Sequence, residues 1–395
     1  MELHANTRQR FLAAAFLASV VAACGGGGAS EPAPAPAPAP SPAPAPSPAP
    51  QAVNWGVFPA AIMVLGQREF HDNAPPEDTS PIGLNFPVGS SAVSSDGALF
   101  VADTGARSFK VFQNYLASGN GPEVAFSFSI NDGDPRGVSN HGQRLAVLQQ
   151  NTVAIYANAL DLTTAEAEIG GADSGCDATH LNRPRSAFIT SNGQVIVADT
   201  GNQRVLVWNS IAEAGAVGSD PVVIGQQDNE TCDLRAASDK TLNEPTAVWS
   251  DGAKLIVADR NNNRLLIWNN IPVADFAAAD HVIGQADPDQ NQPNAGLPDP
   301  TASTLFGPFS IDVSETGQLA VVDRGNNRIL VWNAIPTQGT QPADQVIGQP
   351  NLVSGAAWPT SDKTFDGPSG VRFDGRHMTV TDSSNNRVLV FRALD

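Results

Sequence analysis

Cysteine is scarce in this chain of 395 residues, three in all, which excludes a small scaffold stapled by disulfides. Tyrosine occurs twice, and basic side chains are outnumbered, 22 Lys and Arg against 40 Asp and Glu. A protein that neutralises phosphates along a backbone needs a basic face. A net charge of −18, with the arginines scattered singly, therefore excludes nucleic acid as a partner and reads instead as solubility and resistance to association. The apolar run FLAAAFLASVVAA at residues 11–23 has 13 residues, too few to cross about 30 Å of hydrocarbon as a helix.

With Arg8 and Arg10 ahead of it, that run reads as a signal peptide over residues 1–23. It ends in Val21-Ala22-Ala23-Cys24 before Gly25, which resembles a bacterial lipobox in which Cys24 receives lipid; the alternative is an ordinary cleavage site with Cys24 incidental. Gly25 is not the retention signal that Asp would be, which favours the outer membrane, facing the periplasm or the surface. Residues 24–52 follow as a tether. Ten of the 31 prolines fall between residues 31 and 50, and at about 3.1 Å per residue a polyproline II spacer holds the next domain roughly 60 Å away.

What the rest has in abundance is repetition. NGQVIVADTGNQRVLVWN from Asn192, DGAKLIVADRNNNRLLIWN from Asp251, TGQLAVVDRGNNRILVWN from Thr316 and DGRHMTVTDSSNNRVLVF from Asp374 align without gaps of consequence. In each, an alternating apolar strand runs to an Asp (Asp199, Asp259, Asp323, Asp382), an Asn/Gly-rich turn follows, and a second strand begins at an Arg (Arg204, Arg264, Arg328, Arg387). That pattern predicts a β-hairpin. Apolar stretches led by Pro184, Pro245, Pro308 and Pro368 predict a further strand before each. A weaker copy from Asp96 keeps Asp103 but has Ser108 in the Arg position, and one from His141 has Gln149 for the Asp and no Arg in its second strand. All six end on a ring, Phe112, Tyr156, Trp208, Trp268, Trp332 and Phe391, which reads as a packing device between sheets.

A short fourth strand, VVIGQ, HVIGQ, QVIGQ or AEIGG, follows four of the hairpins, and the matching MVLGQ from Met63 precedes them all. The strands balance if this N-terminal piece completes the last sheet, as in a closed propeller. The expected fold is all-β: a six-bladed β-propeller of four-stranded blades over residues 53–395, its N-terminal strand closing the last blade. The repeat resembles the NHL repeat family, with units 60, 64 and 59 residues apart between successive Asp residues, longer than the family's usual spacing. The extra length lies between each Gly-Gln and the next Pro.

The repeated Asp and Arg residues read as fold-forming, since a catalytic group is needed once and these recur in every strong copy. Cys176 and Cys232 follow IGG and IGQ in adjacent loops; in an oxidising compartment they are expected to form a disulfide, with metal binding as a rival that lacks zinc spacing. Propellers place ligands at the channel mouth, where loops enter the innermost strands. Those loops hold Asp134, Arg136, His180, Arg183, Arg185, Glu244 and Asp366, with Phe309 as an apolar wall. The leading reading is a binding or scaffolding module for an unknown protein or small ligand, without a cofactor. Similarity to lactonase- and lyase-type propellers implies a second reading, a metal-assisted lyase or lactonase using His180, Glu244, Arg136 and Arg185 with a divalent cation in the channel. A structural envelope protein is the third.

Overall fold

Alternation along each hairpin becomes a four-stranded antiparallel sheet, and there are six such sheets in the computed structural model, which describes residues 52–75, 82–116, 124–128 and 133–395. The signal-peptide and tether assignments, with Cys24, lie outside these residues up to residue 51. The first blade comprises Ala92–Val93, Leu99–Asp103, Ser108–Phe112 and Val124–Phe128, and the second Gly137–His141, Arg144–Leu148, Thr152–Tyr156 and Ala167–Gly170. The third comprises Ser186–Ile189, Val195–Asp199, Arg204–Trp208 and Val222–Ile224, and the fourth Pro245–Ser250, Leu255–Asp259, Arg264–Trp268 and His281–Ile283. The fifth has Pro308–Val313, Leu319–Asp323, Arg328–Trp332 and Gln345–Ile347. The sixth takes Pro368–Asp374, His377–Asp382 and Arg387–Arg392 from the end of the chain and Met63–Leu65 from its beginning, with Met63 opposite Val390 and Leu65 opposite Val388.

From the first blade to the sixth, each first strand packs on the first strand of the next, and Gly89, just before the first of them, meets Ser369 and Gly370 of the last, so these strands line the central channel. Where the ring closes, approach is so near that a Cβ on Gly370 would meet the Gly89 carbonyl oxygen, which only glycine avoids. The core is divided accordingly into six clusters, one between each pair of neighbouring blades. In every cluster the terminal ring of a hairpin faces the preceding blade: Trp208 joins Leu148 and Ile155, Trp268 joins Ile196 and Val207, and Phe112 joins Leu65 and Val390. The apolar face of each sheet is thus buried by its neighbours and not by a single central core.

The Asp that ends each strong hairpin strand stands opposite the Arg that begins the next. All four pairs are fully buried, with Nε–Oδ2 distances of 2.7–2.8 Å. The geometry beyond the pair shows why both charges are kept. Asp259 Oδ2 also accepts from Asn262 Nδ2, and Oδ1 from the Asn243 amide; Arg264 donates Nη2 to Ser238 O and Thr241 O, and Nη1 to Pro288 O. Each guanidinium therefore fastens its hairpin to the loop before the blade and the loop after it. Arg387 repeats this across the closure, reaching Phe70 O in the N-terminal segment and Ser361 O on the other side. Burial pushes these carboxyls up, against the pull of the guanidinium and the amide donors.

The first blade solves the absence of an Arg at Ser108 differently. Lys110, two residues on and therefore on the same face of the strand, brings Nζ to 3.4 Å from Asp103 Oδ2 and donates to Gly83 O. Burial outweighs the Asn85 amide and Lys110, and the Asp103 carboxyl is pushed up to about 6. A buried acid with a raised pKa favours the folded state below its unfolded value, near 4, and that contribution is lost as pH rises through 6. Urea midpoints between pH 4 and 7 should therefore contain a falling component in the wild type that is missing from Asp103→Asn; identical pH profiles would refute the assignment. In the second blade the turn is shorter, with Leu148 paired directly to Val153, and no ion pair is built there among the described residues.

The Gly-Gln that closes four of the six fourth strands has a role too. Gln226, Gln285, Gln349 and Gln67 each donate Nε2 back to the preceding hairpin turn and forward to a carbonyl seven residues on, Asp233, Gln292, Ala356 and Ala74 respectively. This side chain pins the start of the four loops that follow a Gly-Gln.

Candidate ligand site at the channel mouth

Each first strand is entered through a residue followed by proline, and in five blades that residue has a positive φ: Phe86 (52°), Arg183 (51°), Glu244 (49°), Gly307 (59°) and Gly367 (56°). A residue before proline is ordinarily extended, so these conformations are held from outside. The holding group is a side chain of the preceding blade. Asn386, Asn151, Gln203, Asn263 and Asn327 accept from the five amides at 2.7, 3.4, 2.6, 2.8 and 2.9 Å. Glycine carries the positive φ without strain in the fifth and sixth blades. In the third and fourth the same conformation is imposed on Arg183 and Glu244, and strain of this kind concentrates where side chains are aimed for use.

Around these two the structure gathers Arg136, Arg185, Arg260, Arg324 and Phe309. Phe309, nearly buried, sits 5.2 Å from the Arg185 guanidinium, 5.6 Å from that of Arg260 and 5.0 Å from that of Arg324, measured to its ring centroid. Three blades thus converge on one ring as cation–π partners. Glu244 accepts from Arg260 at 2.7 Å and lies 3.9 Å from Arg183, while Arg324 donates to Pro368 O at 3.1 Å. Asp134 is taken by Arg107 at 3.1 Å, and Asp366 lies near enough to Arg324 to favour its charge. Arg136 Nε is buried without a hydrogen-bond partner.

Positive charge is in excess here. Arg107, Arg136, Arg183, Arg185, Arg260 and Arg324 outnumber Asp134, Glu244 and Asp366, in a chain whose net charge is −18. Burial first, then Arg136 and Arg260, bring Arg185 down to about 10, and Arg136 and Arg324 are lowered by burial and by a neighbouring arginine. Below the arginines the channel, lined by Ser90, Ser186, Thr246 and Ser310, narrows to a cavity of about 40 Å³, space for water and little else. The opposite end opens into about 630 Å³, where Arg372 and Arg376 face Asp312, Asp374 and Glu315 and no cationic excess exists.

Of the mouth residues expected from the sequence, Arg136, Arg183, Arg185, Glu244 and Phe309 come together, with Asp134 and Asp366 at the rim. His180 is placed differently. Its Nδ1 meets the Asp177 carboxylate at 2.8 Å and its ring packs on Gly175, beside the Cys176–Cys232 disulfide, because the Asp177 turn folds the loop back on itself. A divalent cation does not fit this donor set: Glu244 is engaged by Arg260, Asp134 by Arg107 and His180 by Asp177. Among the described residues no group of three or more His, Cys, Asp or Glu is placed to hold a metal ion. Arg260 and Arg324 were not among the expected residues. They occupy the position after the repeat Asp, where the other hairpins with this turn have Thr104, Thr200 and Ser383, so a departure from the chain's own repeat was the available signal.

The family model of the NHL repeat matches residues 181–208, which contain the first three strands of the third blade and the Asp199–Arg204 pair. That stretch is thus similar to an NHL repeat, and it is set in a six-bladed ring. Among solved structures, that of a catalytically inactive virginiamycin B lyase from Staphylococcus aureus with quinupristin is similar over 78% of this chain and 80% of its own, at 11% identity and a TM-score of 0.45. No curated protein matches the sequence.

Proposed function

We propose that the chain is a binding module of the bacterial cell envelope, anchored through lipid on Cys24 and carried on its Ala-Pro tether, that takes a protein or small ligand at the arginine-lined mouth. The observation that supports this most is the convergence of Arg185, Arg260 and Arg324 on Phe309 above a channel too narrow to pass a ligand. Arg185 and Arg324, which stand beside the ring and form no ion pair among the described residues, are arranged to meet something from outside. A metal-assisted lyase or lactonase is the weaker reading, since the carboxylates it would use are already engaged by arginines.

Expressed with its own leader, the chain should fractionate with membranes, and Cys24→Ala should appear in the soluble fraction. Native mass spectrometry of that soluble form should show a bound adduct that Arg185→Gln with Arg260→Gln removes and Arg144→Gln, on the exposed Arg144–Glu166 pair, does not. An adduct that survives the double substitution, or is lost with chelator alone, defeats this reading of the site.

A further inference from the structure

We infer that the group recognised at the mouth is a compact, multiply charged oxyanion, phosphate- or carboxylate-bearing, held by guanidinium forks from the second to fifth blades. The inference rests on the binding reading above and specifies its ligand. Arg136 comes from the second blade's entry loop, Arg183 and Arg185 from the third's, and Arg260 and Arg324 from the hairpin turns of the fourth and fifth. Such an array differs from the scaffold arginines in one respect. Arg204, Arg264, Arg328 and Arg387 have every guanidinium nitrogen bonded to a carboxylate or a carbonyl, whereas Arg136 keeps a buried Nε unpaired, and Arg185 is next to Phe309 and other cations.

Charge and size narrow the occupant. Like charges crowded at a half-buried site repel one another, and an anion among them relieves every pair at once. Guanidinium forks match carboxylate and phosphate oxygens in pairs, which a chloride ion cannot use. A long polyanion would have to cross the surface of a protein with net charge −18, so the recognised group is local and compact. The cavity beneath, about 40 Å³, keeps it on the arginines and out of the channel. The strained placement of Arg183 and Glu244 fits the same purpose: Glu244 braces Arg260 at 2.7 Å and approaches Arg183 at 3.9 Å, and among the described residues Arg136 and Arg185 have no ion pair.

The test uses residues 53–395, which contain all six blades, with inorganic phosphate, pyrophosphate and citrate against sodium chloride at equal ionic strength. An anion concentration near a hundred times Kd should raise the melting temperature by about 3–6 °C, and calorimetry should give a saturable one-to-one isotherm. Arg185→Gln or Arg260→Gln should weaken the anion about 10- to 100-fold each, the loss of one charge-assisted fork. Arg144→Gln should leave it unchanged. In the absence of anion, Arg185→Gln should melt no lower than the wild type, because a repulsion has been removed. That result also shows that the variant folds. A response to phosphate and pyrophosphate alone assigns phosphate, and a response to citrate alone assigns carboxylate. Equal shifts in wild type and Arg185→Gln, as bulk exclusion of kosmotropic salts would produce, overturn the inference, as does the absence of a saturable isotherm. If that occurs while the native adduct still depends on Arg185 and Arg260, the ligand class is wrong and the site stands; an adduct indifferent to both defeats the site as well.

Discussion

Asp259→Ala lowers the free energy of unfolding by about 3–5 kcal/mol, the cost of leaving a buried partner charge uncompensated, which for a domain of this size is a fall of about 4–7 °C in melting temperature. The carboxylate lost is the acceptor for Arg264 Nε at 2.7 Å, for Asn262 Nδ2 at 2.8 Å and for the Asn243 amide at 2.7 Å, and nothing else in that turn can replace all three. Arg264 cannot escape to water, because its remaining donors are tied to Ser238, Thr241 and Pro288 carbonyls in two different loops. Breaking a buried pair costs more than replacing both members. Asp259→Leu with Arg264→Met should therefore lose less than the sum of the two single substitutions. Urea unfolding of the wild type, Asp259→Ala, the two single substitutions and their double decides it: an Asp259→Ala midpoint equal to wild type, with anion binding lost, would move Asp259 from scaffold to site.

Reduction of the Cys176–Cys232 bridge, or Cys176→Ser with Cys232→Ser, costs about 4 kcal/mol in the loop-entropy account of a bridge spanning 56 residues. The bridge joins the loop before the third blade to the loop after it, with Cα atoms 6.0 Å apart. Arg204 holds the same two loops without covalent chemistry, donating Nη2 to Asp177 O and His180 O and Nη1 to Asn229 O. Two fasteners on one pair of loops are coupled, so the loss on reduction should be greater in Arg204→Ala than in wild type. Urea unfolding with and without reductant measures both quantities. Coincident curves for the wild type under the two conditions would show that the bridge adds nothing to what Arg204 already provides.

The ring was legible because its unit is written repeatedly with the same punctuation. Alternation to Asp199, an Asn-rich turn and a restart at Arg204 describe one hairpin; finding them again at Asp259, Asp323 and Asp382 describes a circle, and MVLGQ from Met63 says where it closes. Lys110 was not legible. It takes the place of an Arg two positions away, and only the pleat of the strand makes those positions equivalent. The Gly-Gln repeat was visible as a spelling, but what Gln285 does depends on carbonyls at Asn263 and Gln292 that only the folded loop brings together. The mouth was half legible for a similar reason. Arg136 and Arg185 follow the prolines that enter the first strands, a position that points to the channel by topology alone. Arg260 and Arg324 lie in turns that sequence assigns to the scaffold, and the pairing of His180 with Asp177, three residues before it, depends on a turn that only the folded loop makes.

Closure by the Met63–Leu65 strand sets an order of events as well as a shape. Met63 pairs with Val390 and the Phe86 amide with Asn386, so the first strand of the domain waits for partners about 300 residues further along the chain. Until then the edge of the sixth blade and the apolar surface of Leu65, Leu84 and Val388 have no cover, and the five preceding blades form an open arc. A chain stopped a few residues short of Arg387 would leave that arc with two unpaired edges. The Arg387–Arg392 strand is the latch for Met63–Leu65, which makes it the segment on which the ring's completion depends.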